Sequence, residues 1–260
     1  MKKLEKIFWS VVLILVVLAI IGAIVASVFL GDIVKKGVET VGPKITRVSV
    51  KLDEVHLTLL TGSASVKGLV VGNPEGYQTP QAISAGLISV GVNPMSVLSD
   101  KIVVRSLHVE SPEITFEGGL SGNNLSAILN NVTEASKNPA QTSTASTNAP
   151  AQAKPSKKLE VDDLLITGAR VHVSLTDLGG KETTLPLPPI HLVNLGQNQE
   201  GITAAELTRS VLDAIVTATL KAVSKAGIEK NAGTLLKGAG NNAGAGTSNI
   251  IKGLDKLLGK

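Results

Sequence analysis

Short aliphatic runs that alternate with polar residues, and that change phase part-way along, constrain the fold of this chain more than any other feature. Val48, Val50 and Leu52 keep a period of two, whereas Val55 and Leu57 continue that period on odd positions. The same change of phase occurs in three further segments, which are 64–71, 102–109 and 159–166. Because a shift of one residue exchanges the two faces of a strand, each change implies a β-bulge, a kink or two shorter strands. The pattern therefore predicts a strongly curved sheet.

Plain alternation marks further strands, such as 88–92 and 171–175, and the turns between them are short. Since 43% of the chain is hydrophobic but only 2% is aromatic, the core must consist of aliphatic side chains. These features predict a mostly β (α+β) fold with a curved antiparallel β-sheet or groove. One amphipathic helix at 203–226 is predicted to pack on the sheet, beginning at a Thr203/Glu206 capping box and ending at Gly227.

The N-terminal region contains an uncharged apolar run at 7–30. Such a run can cross the roughly 30 Å of bilayer hydrocarbon as a helix, and it exceeds the apolar core of a cleavable signal peptide. Lysines at positions 2, 3 and 6 precede it, so the positive-inside preference places the N-terminus in the cytoplasm. We therefore expect a retained single-pass anchor, with everything after Asp32 on the far side of the membrane.

Changes of composition divide the rest of the chain. A cytoplasmic stub and transmembrane anchor (1–31) precede the first part of the β domain (32–134), which begins with a short polar neck. A segment without periodicity (135–158) is predicted to be a flexible linker or insertion. The second β part with its helix (159–226) and a flexible tail (227–260) follow. The tail ends in an amphipathic helix that is predicted either to pack on the domain or to contact a membrane surface or partner.

No catalytic or metal-binding signature occurs in the sequence. Its four histidines, His56, His108, His172 and His191, each lie in an alternating strand and are predicted to face solvent. There is no cysteine, and two of the four net positive charges precede the anchor, so the exported part is nearly neutral. Few aromatic residues are present on which bases could stack. We therefore expect neither an enzyme nor a nucleic-acid binder, and no cofactor or metal.

Several short motifs follow one another in a recognisable order. They are a strand at 68–71, the Asn73-Pro74-Glu75-Gly76-Tyr77 turn, the segment 93–102, the Ser111-Pro112-Glu113-Ile114 strand pair, and Asn123-Asn124-Leu125 at the start of a short helix predicted at 124–134. Together with the apolar run before them, these motifs resemble the N-terminal region of the AsmA-like family of bacterial envelope proteins. The resemblance covers roughly residues 1–134, and this chain is short for that family.

The resemblance implies a curled β-groove with an apolar lining that is held in the inner membrane and is implicated in moving phospholipid toward the outer membrane. The residues predicted to line it are Val48, Val50, Leu57, Leu69, Val71, Val104, Leu107, Val109, Val171, Val173 and Leu175. The expected partners are the inner membrane, phospholipid and other envelope proteins. The alternative is a scaffold protein whose groove is filled by its own helix at 203–226. The turn at 73–77 is expected to be architectural.

Overall fold

The computed structural model describes residues 29–58, 61–120, 122–137, 157–174, 182–197 and 200–240. The chain divides into two compact units, of which the first ends at Thr219 and the second begins at Leu220. The sheet and all contacts described below belong to the first unit. Leu175 and the C-terminal amphipathic segment at 250–258, both singled out from the sequence, lie outside the described residues.

Ten strands and four helices make up the described part of the chain. The strands are β1 (Val50–Lys51), β2 (Glu54–Thr58), β3 (Ser63–Gly72), β4 (Gln81–Val92), β5 (Lys101–Glu110), β6 (Glu113–Glu117), β7 (Lys158–Thr167), β8 (Arg170–Ser174), β9 (Glu182–Pro186) and β10 (Ile190–Leu195). The helices are α1 (29–46, from the first described residue), a 3₁₀ helix (Pro94–Leu98), α2 (Asn124–Lys137) and α3 (Ala204–Gly240).

All ten strands belong to one open sheet, which confirms the mostly β class. β3 pairs with β1 and β2 on one side and with β4 on the other, and the far edge of β4 is shared by β5 and β6. The expectation of a purely antiparallel sheet is wrong, because β7 runs parallel to β5 and β8 runs parallel to β6. Parallel neighbours need a long crossover, and α2 lies in the connection between the two strands of each parallel pair.

Consecutive strands such as β1 and β2 continue one another along the sheet, and we call each such path a strand line. One row of residues crosses the whole sheet and marks the position where the apolar pattern of every strand line changes phase. The register of each strand pairing is the same on the two sides of this row, so the residues of the row can be aligned by extending it. The residues of this phase-change row are Asp53, Gly68, Gly86, Ser111, Gly168 and Pro188. Gly68, Ser111 and Gly168 have positive φ values of 63°, 47° and 65°. A Cβ atom on Gly68 would lie 1.9 Å from Asp53 Oδ2, so only glycine fits there.

The phase-change row separates two halves of the sheet. The closed half contains β1, β6, β8 and β9 with residues 69–72 of β3 and 81–85 of β4. The open half contains β2, β5, β7 and β10 with residues 63–67 of β3 and 87–92 of β4. On β4 the buried apolar side chains Ile83 and Ala85 lie before the row at odd positions. After the row the apolar side chains Ile88 and Val90 lie at even positions, so the pattern has moved by one residue.

The closed half is covered by helix α2, which packs against β6. Its central row of paired side chains is Val50, Val71, Ile83, Ile114, Val171 and Leu185. The predicted helix at 124–134 is confirmed and extends to Lys137, and its Leu125, Ile128 and Val132 are fully buried together with Phe116 of β6. Two contacts tie α2 to the end of α1: Asn131 Nδ2 donates to Thr46 O (3.1 Å), and Arg47 pairs with Glu134 (2.8 Å).

Helix α1 lies along the edge formed by β1 and β2. The sequence indicated a polar neck at 32–43, but these residues are helical because the helix finds partners on the edge strands. Lys35 Nζ donates to Asp53 O (2.8 Å), and Glu39 Oε1 accepts from Leu52 N (3.1 Å). In the described part of the chain, no helix is both long and apolar enough to cross a bilayer. Most of the predicted anchor at 7–30 lies outside that part.

Helix α3 begins as the sequence predicts. Thr203 N donates to Glu206 Oε2 (2.7 Å), and Glu206 N donates to Thr203 Oγ1 (3.2 Å), which together form the capping box. The helix does not end at Gly227 but continues to Gly240. A glycine inside a helix costs only about 1 kcal/mol relative to alanine, so Gly227 alone does not end the helix.

Candidate functional site

Three register rows place aliphatic side chains on one face of the open half, because residues paired across a sheet point to the same side. The first row is Val55, Val66, Ile88, Val109, Ile166 and Ile190. The second is Leu57, Ala64, Val90, Leu107, Leu164 and Leu192. The third is Val92, Val104, Val161 and Leu195. We call this surface the open face.

Irregular backbone keeps the open face continuous between its second and third rows. On β4 the step from Val90 to Val92 is two residues, whereas β5, β7 and β10 each insert one extra residue over the same step. The register of β4 and β5 shifts between Gly91 and Val92, and Asn194 of β10 has a φ of 58°. These bulges are what the changes of phase at 102–109 and 159–166 predict.

Coverage of the open face differs from one strand to the next. On β7, Val161, Leu164 and Ile166 are only 0%, 1% and 2% exposed. On β2, β3 and β4 the side chains of the same rows are half-buried. The open face is therefore covered at β7, at Val104 of β5 and at Ile190 of β10, and it is partly accessible on β2 to β4. A partly accessible aliphatic surface of this kind is typical of a site for an apolar ligand or partner.

The opposite side of the open half is polar and carries three of the four histidines in one register row. Each lies beside a carboxylate: His56 Nε2 is 2.8 Å from Glu54, His108 Nδ1 is 3.7 Å from Glu110, and His191 Nε2 is 2.5 Å from Asp163. His56 and His191 are exposed, as predicted, and His108 is half-buried. Among the described residues, no three metal-ligating side chains come together.

The fourth histidine belongs to an ion-pair cluster on the polar side of the closed half. Glu113 Oε1 accepts from Arg170 Nη2 (2.6 Å), and Glu113 Oε2 lies 2.6 Å from His172 Nε2. The hydrogen bond from Arg170 lowers the pKa of Glu113, and His172 adds to this effect. The side chains of Arg170 and His172 are 58% and 46% exposed and that of Glu113 is 32% exposed, so the cluster has the features of a solvated ion pair.

A buried polar cluster holds the Asn73–Tyr77 turn. Asn124, which is fully buried, donates from Nδ2 to Asn73 Oδ1 (2.8 Å) and accepts at Oδ1 from Glu117 N (3.0 Å). The Glu117 carboxylate accepts from Gln78 N (2.6 Å) and Thr79 N (2.9 Å). Burial raises the pKa of Glu117, but these hydrogen bonds outweigh it and the pKa is lowered. The side chains of Asn73, Asn124 and Glu117 therefore all form hydrogen bonds within the protein, and the turn is architectural.

A second apolar feature lies between α1 and the first turns of α3. It is a cleft of about 350 Å³. The residues that line it are Val34, Gly37, Val38, Val41, Gly42, Ile45, Ala204 and Thr208. Since Thr208 is its only lining residue with a polar side chain, the cleft offers van der Waals contact and almost no hydrogen bonding.

The structure divides the residues predicted to line a groove between the two halves. Leu57, Val104, Leu107 and Val109 come together on the open face. The others described lie in or beside the closed half, where Val48, Val50, Val171 and Val173 are buried and Leu69 and Val71 are half-buried.

β4 supplies the middle of the open face, although none of its residues was predicted from the sequence to line the groove. Ile88, Val90 and Val92 lie between the rows of β3 and β5. Their plain alternation identified a strand but gave no sign of which neighbours it pairs with. A partial signal was present in Gly68 and Gly86, each of which lies at a change of phase in the apolar pattern of its strand.

No protein-family model and no curated protein matches this chain.

Proposed function

We propose that this protein is a membrane-anchored envelope protein, similar to the AsmA-like family, that shelters lipid acyl chains on its open face. The observation that carries the proposal is the exposure pattern of that face. Three rows of aliphatic side chains cross the open half, and those on β2 to β4 are only half-buried. A function of this kind needs no catalytic group, cofactor or metal.

The physical basis is burial of apolar surface. Each methylene group that leaves water contributes about 0.8 kcal/mol, so a chain of several methylenes gains enough to compete with transfer back to a bilayer. Leu57, Ala64, Val90 and Leu107 lie in four successive strands of one row, and neighbouring strands are spaced about 4.8 Å apart across the sheet. A lipid tail lying across the strands would contact them one after another.

The proposed location is the bacterial inner membrane, with a cytoplasmic N-terminus and a periplasmic sheet. Support comes from the uncharged run at 7–30 and the lysines before it. Phe29 and Ile33, at the start of the described part of α1, are 66% and 62% exposed, as expected where a helix leaves a membrane. The proposed partners are this membrane, phospholipid and other envelope proteins, and no nucleic acid.

Site-specific photocrosslinking in the full chain tests the proposal. A benzophenone side chain replaces Leu107 on the open face or, as the matched control, His108, its neighbour on the polar side of β5. Irradiation of native membranes followed by mass spectrometry should find phospholipid adducts at position 107 and far fewer at 108. Equal adduct yields at the two positions would contradict a lipid-sheltering face.

A scaffold function is the second candidate, because the β7 part of the open face is already filled. Val161, Leu164 and Ile166 leave no room there for a ligand. In this case the benzophenone at 107 would crosslink to another envelope protein rather than to lipid. The same experiment therefore separates the two functions.

A further inference from the structure

Two large hydrophobic side chains project from the 3₁₀ helix between β4 and β5. Met95 is 78% exposed and Leu98 is 87% exposed, which makes them the two most exposed large hydrophobic residues in the described part of the chain. Single exposed apolar residues are common, but two on one short turn form a local apolar tip.

The backbone of this turn is fixed, so the two side chains are held outward. Met95 N donates to Asn93 Oδ1 (3.2 Å). Ser96, which is buried between the two exposed residues, donates from Oγ to Asn93 O (2.7 Å) and accepts at Oγ from Val103 N (2.9 Å). Because Ser96 faces the sheet, Met95 and Leu98 face away from it.

Charged groups surround the tip. Lys157 donates from Nζ to Val97 O, and Lys101 pairs with Glu160. Asp100 is also exposed beside the turn. An apolar tip with lysines at its base matches the boundary between lipid headgroups and acyl chains, where lysine side chains reach back toward phosphate.

The contacts of α1 show toward which end of the sheet its N-terminus points. A Cβ atom on Gly31 would lie 2.4 Å from Val55 O, in the open half, whereas one on Gly42 would lie 2.9 Å from Val50 Cβ, in the closed half. The N-terminus of α1 therefore points toward the end of the open half that is farthest from the phase-change row.

The tip lies at this same end. Val92 N, at the end of β4, donates to Gly62 O (2.6 Å), and a Cβ atom on Gly62 would lie 2.9 Å from Pro94 of the 3₁₀ helix. The third row of the open face, which contains Val92 and Val104, is the row nearest the tip.

We propose that Met95 and Leu98 insert into the surface of the bilayer that residues 7–30 cross. This second contact seats the open half on the membrane, with its third row nearest the lipid, so that an acyl chain leaving the bilayer meets the half-buried Val92 first. The inference rests on the anchor in the proposed function, and the lipid at the tip is the bilayer itself rather than a bound molecule.

Depth-dependent fluorescence quenching tests the inference, and the chain contains no cysteine that would interfere with labelling. Single-cysteine variants of the full chain, Met95→Cys and Leu98→Cys, carry an environment-sensitive fluorophore. Each is reconstituted in vesicles of phosphatidylcholine and phosphatidylglycerol that contain a lipid with a nitroxide near its headgroup. Phe29→Cys reports on the anchor, and Glu75→Cys, in the exposed turn at the opposite end of the sheet, is the control outside the membrane.

We expect the nitroxide to quench most of the fluorescence at positions 29, 95 and 98 and little of it at position 75. Quenching at 29 alone would overturn the tip insertion and leave the anchor standing. No quenching at 29 would contradict the anchor, and with it the proposed function. Protection of position 95 from aqueous iodide without quenching by the nitroxide would overturn the inference in favour of a protein covering the tip.

Discussion

The two halves of the sheet are built from the same strand lines in one register, yet only one of them is covered across its width. In the closed half, α2 lies on β6, and the paired side chains of β4, β6 and β8 are buried. In the open half the corresponding side chains of β2, β3 and β4 are half-buried. The difference separates two roles, since a filled core stabilises the fold whereas an uncovered aliphatic surface is available for binding.

The phase-change row explains how one sheet can serve both roles. At this row the apolar positions of every strand line move by one residue, and Gly68, Ser111 and Gly168 accommodate the change with positive φ. The pairing of the strands continues across it, so stability in the closed half is transmitted to the open half through unbroken strands such as β4.

The largest expected effect is the loss of Phe116 from the closed half. Phe116→Ala removes a fully buried ring beneath α2 and should lower the free energy of unfolding by about 3–5 kcal/mol. The matched change in the open half, Leu107→Ala, should cost roughly 1 kcal/mol, because that side chain is only half-buried. Urea unfolding of the full chain in mild detergent measures both. Equal losses would show that the two halves are packed alike.

The second prediction concerns the row between the halves. Gly68→Ala should lower the free energy of unfolding by about 2 kcal/mol, because alanine is strained at a φ of 63° and its Cβ meets Asp53. Gly86→Ala is the control in the same row, where an added Cβ meets no atom within 4 Å.

Removing the Asp53 side chain separates the two causes of the Gly68→Ala effect. The double variant with Asp53→Ala should recover the part due to the carboxylate, as measured by the urea midpoint. It should keep the part due to φ and to the Cβ of residue 53, which would lie 2.8 Å from the new methyl group. If Gly68→Ala and Gly86→Ala destabilise the protein equally, the row does not require a positive φ on β3.

The changes of phase between the two halves can be seen in the sequence, but the pairing of the strands cannot. Changes of phase at Asp53 and Gly68 predict irregular strands at those positions, and both irregularities are present. That the two residues lie side by side depends on which strands pair, which periodicity does not reveal. The parallel pairs were missed for the same reason, since a strand reads alike whether its neighbour is parallel or antiparallel.

The cluster at the Asn73–Tyr77 turn shows a similar limit. Asn73 and Asn124 could each be recognised as part of a motif, but the hydrogen bond between them joins residues 51 positions apart. Glu117 carried no signal in the sequence, because nothing in a strand ending in glutamate indicates that it binds the backbone of a distant turn. The structural role of these motifs therefore depends on hydrogen bonds between residues that are far apart in the sequence.

The third prediction uses pH to measure the support that this cluster gives the closed half. The pKa of Glu117 is lowered in the folded protein, so its contribution to stability is present above the ordinary glutamate value of about 4.3 and is lost as pH falls through the lower folded value. Glu117→Gln should be less stable than wild type at neutral pH, and the difference should shrink below about pH 4.

Urea midpoints of the two proteins, compared across this pH range, measure the effect. A matched control is Glu75→Gln, a change at an exposed glutamate in the same turn. It should leave the pH profile of wild type unaltered. A difference between Glu117→Gln and wild type that stays constant with pH would show that the charge of Glu117 does not contribute.

The smallest expected effect is the loss of the ion pair on the polar side of the closed half. Arg170→Ala removes the guanidinium that donates to Glu113 by two hydrogen bonds, but the pair is accessible to water and is screened by salt. The change in urea midpoint should be smaller than that of Leu107→Ala and should disappear at high ionic strength. A salt-independent loss as large as that of Gly68→Ala would mean that the polar side, and not only the core under α2, holds the closed half together.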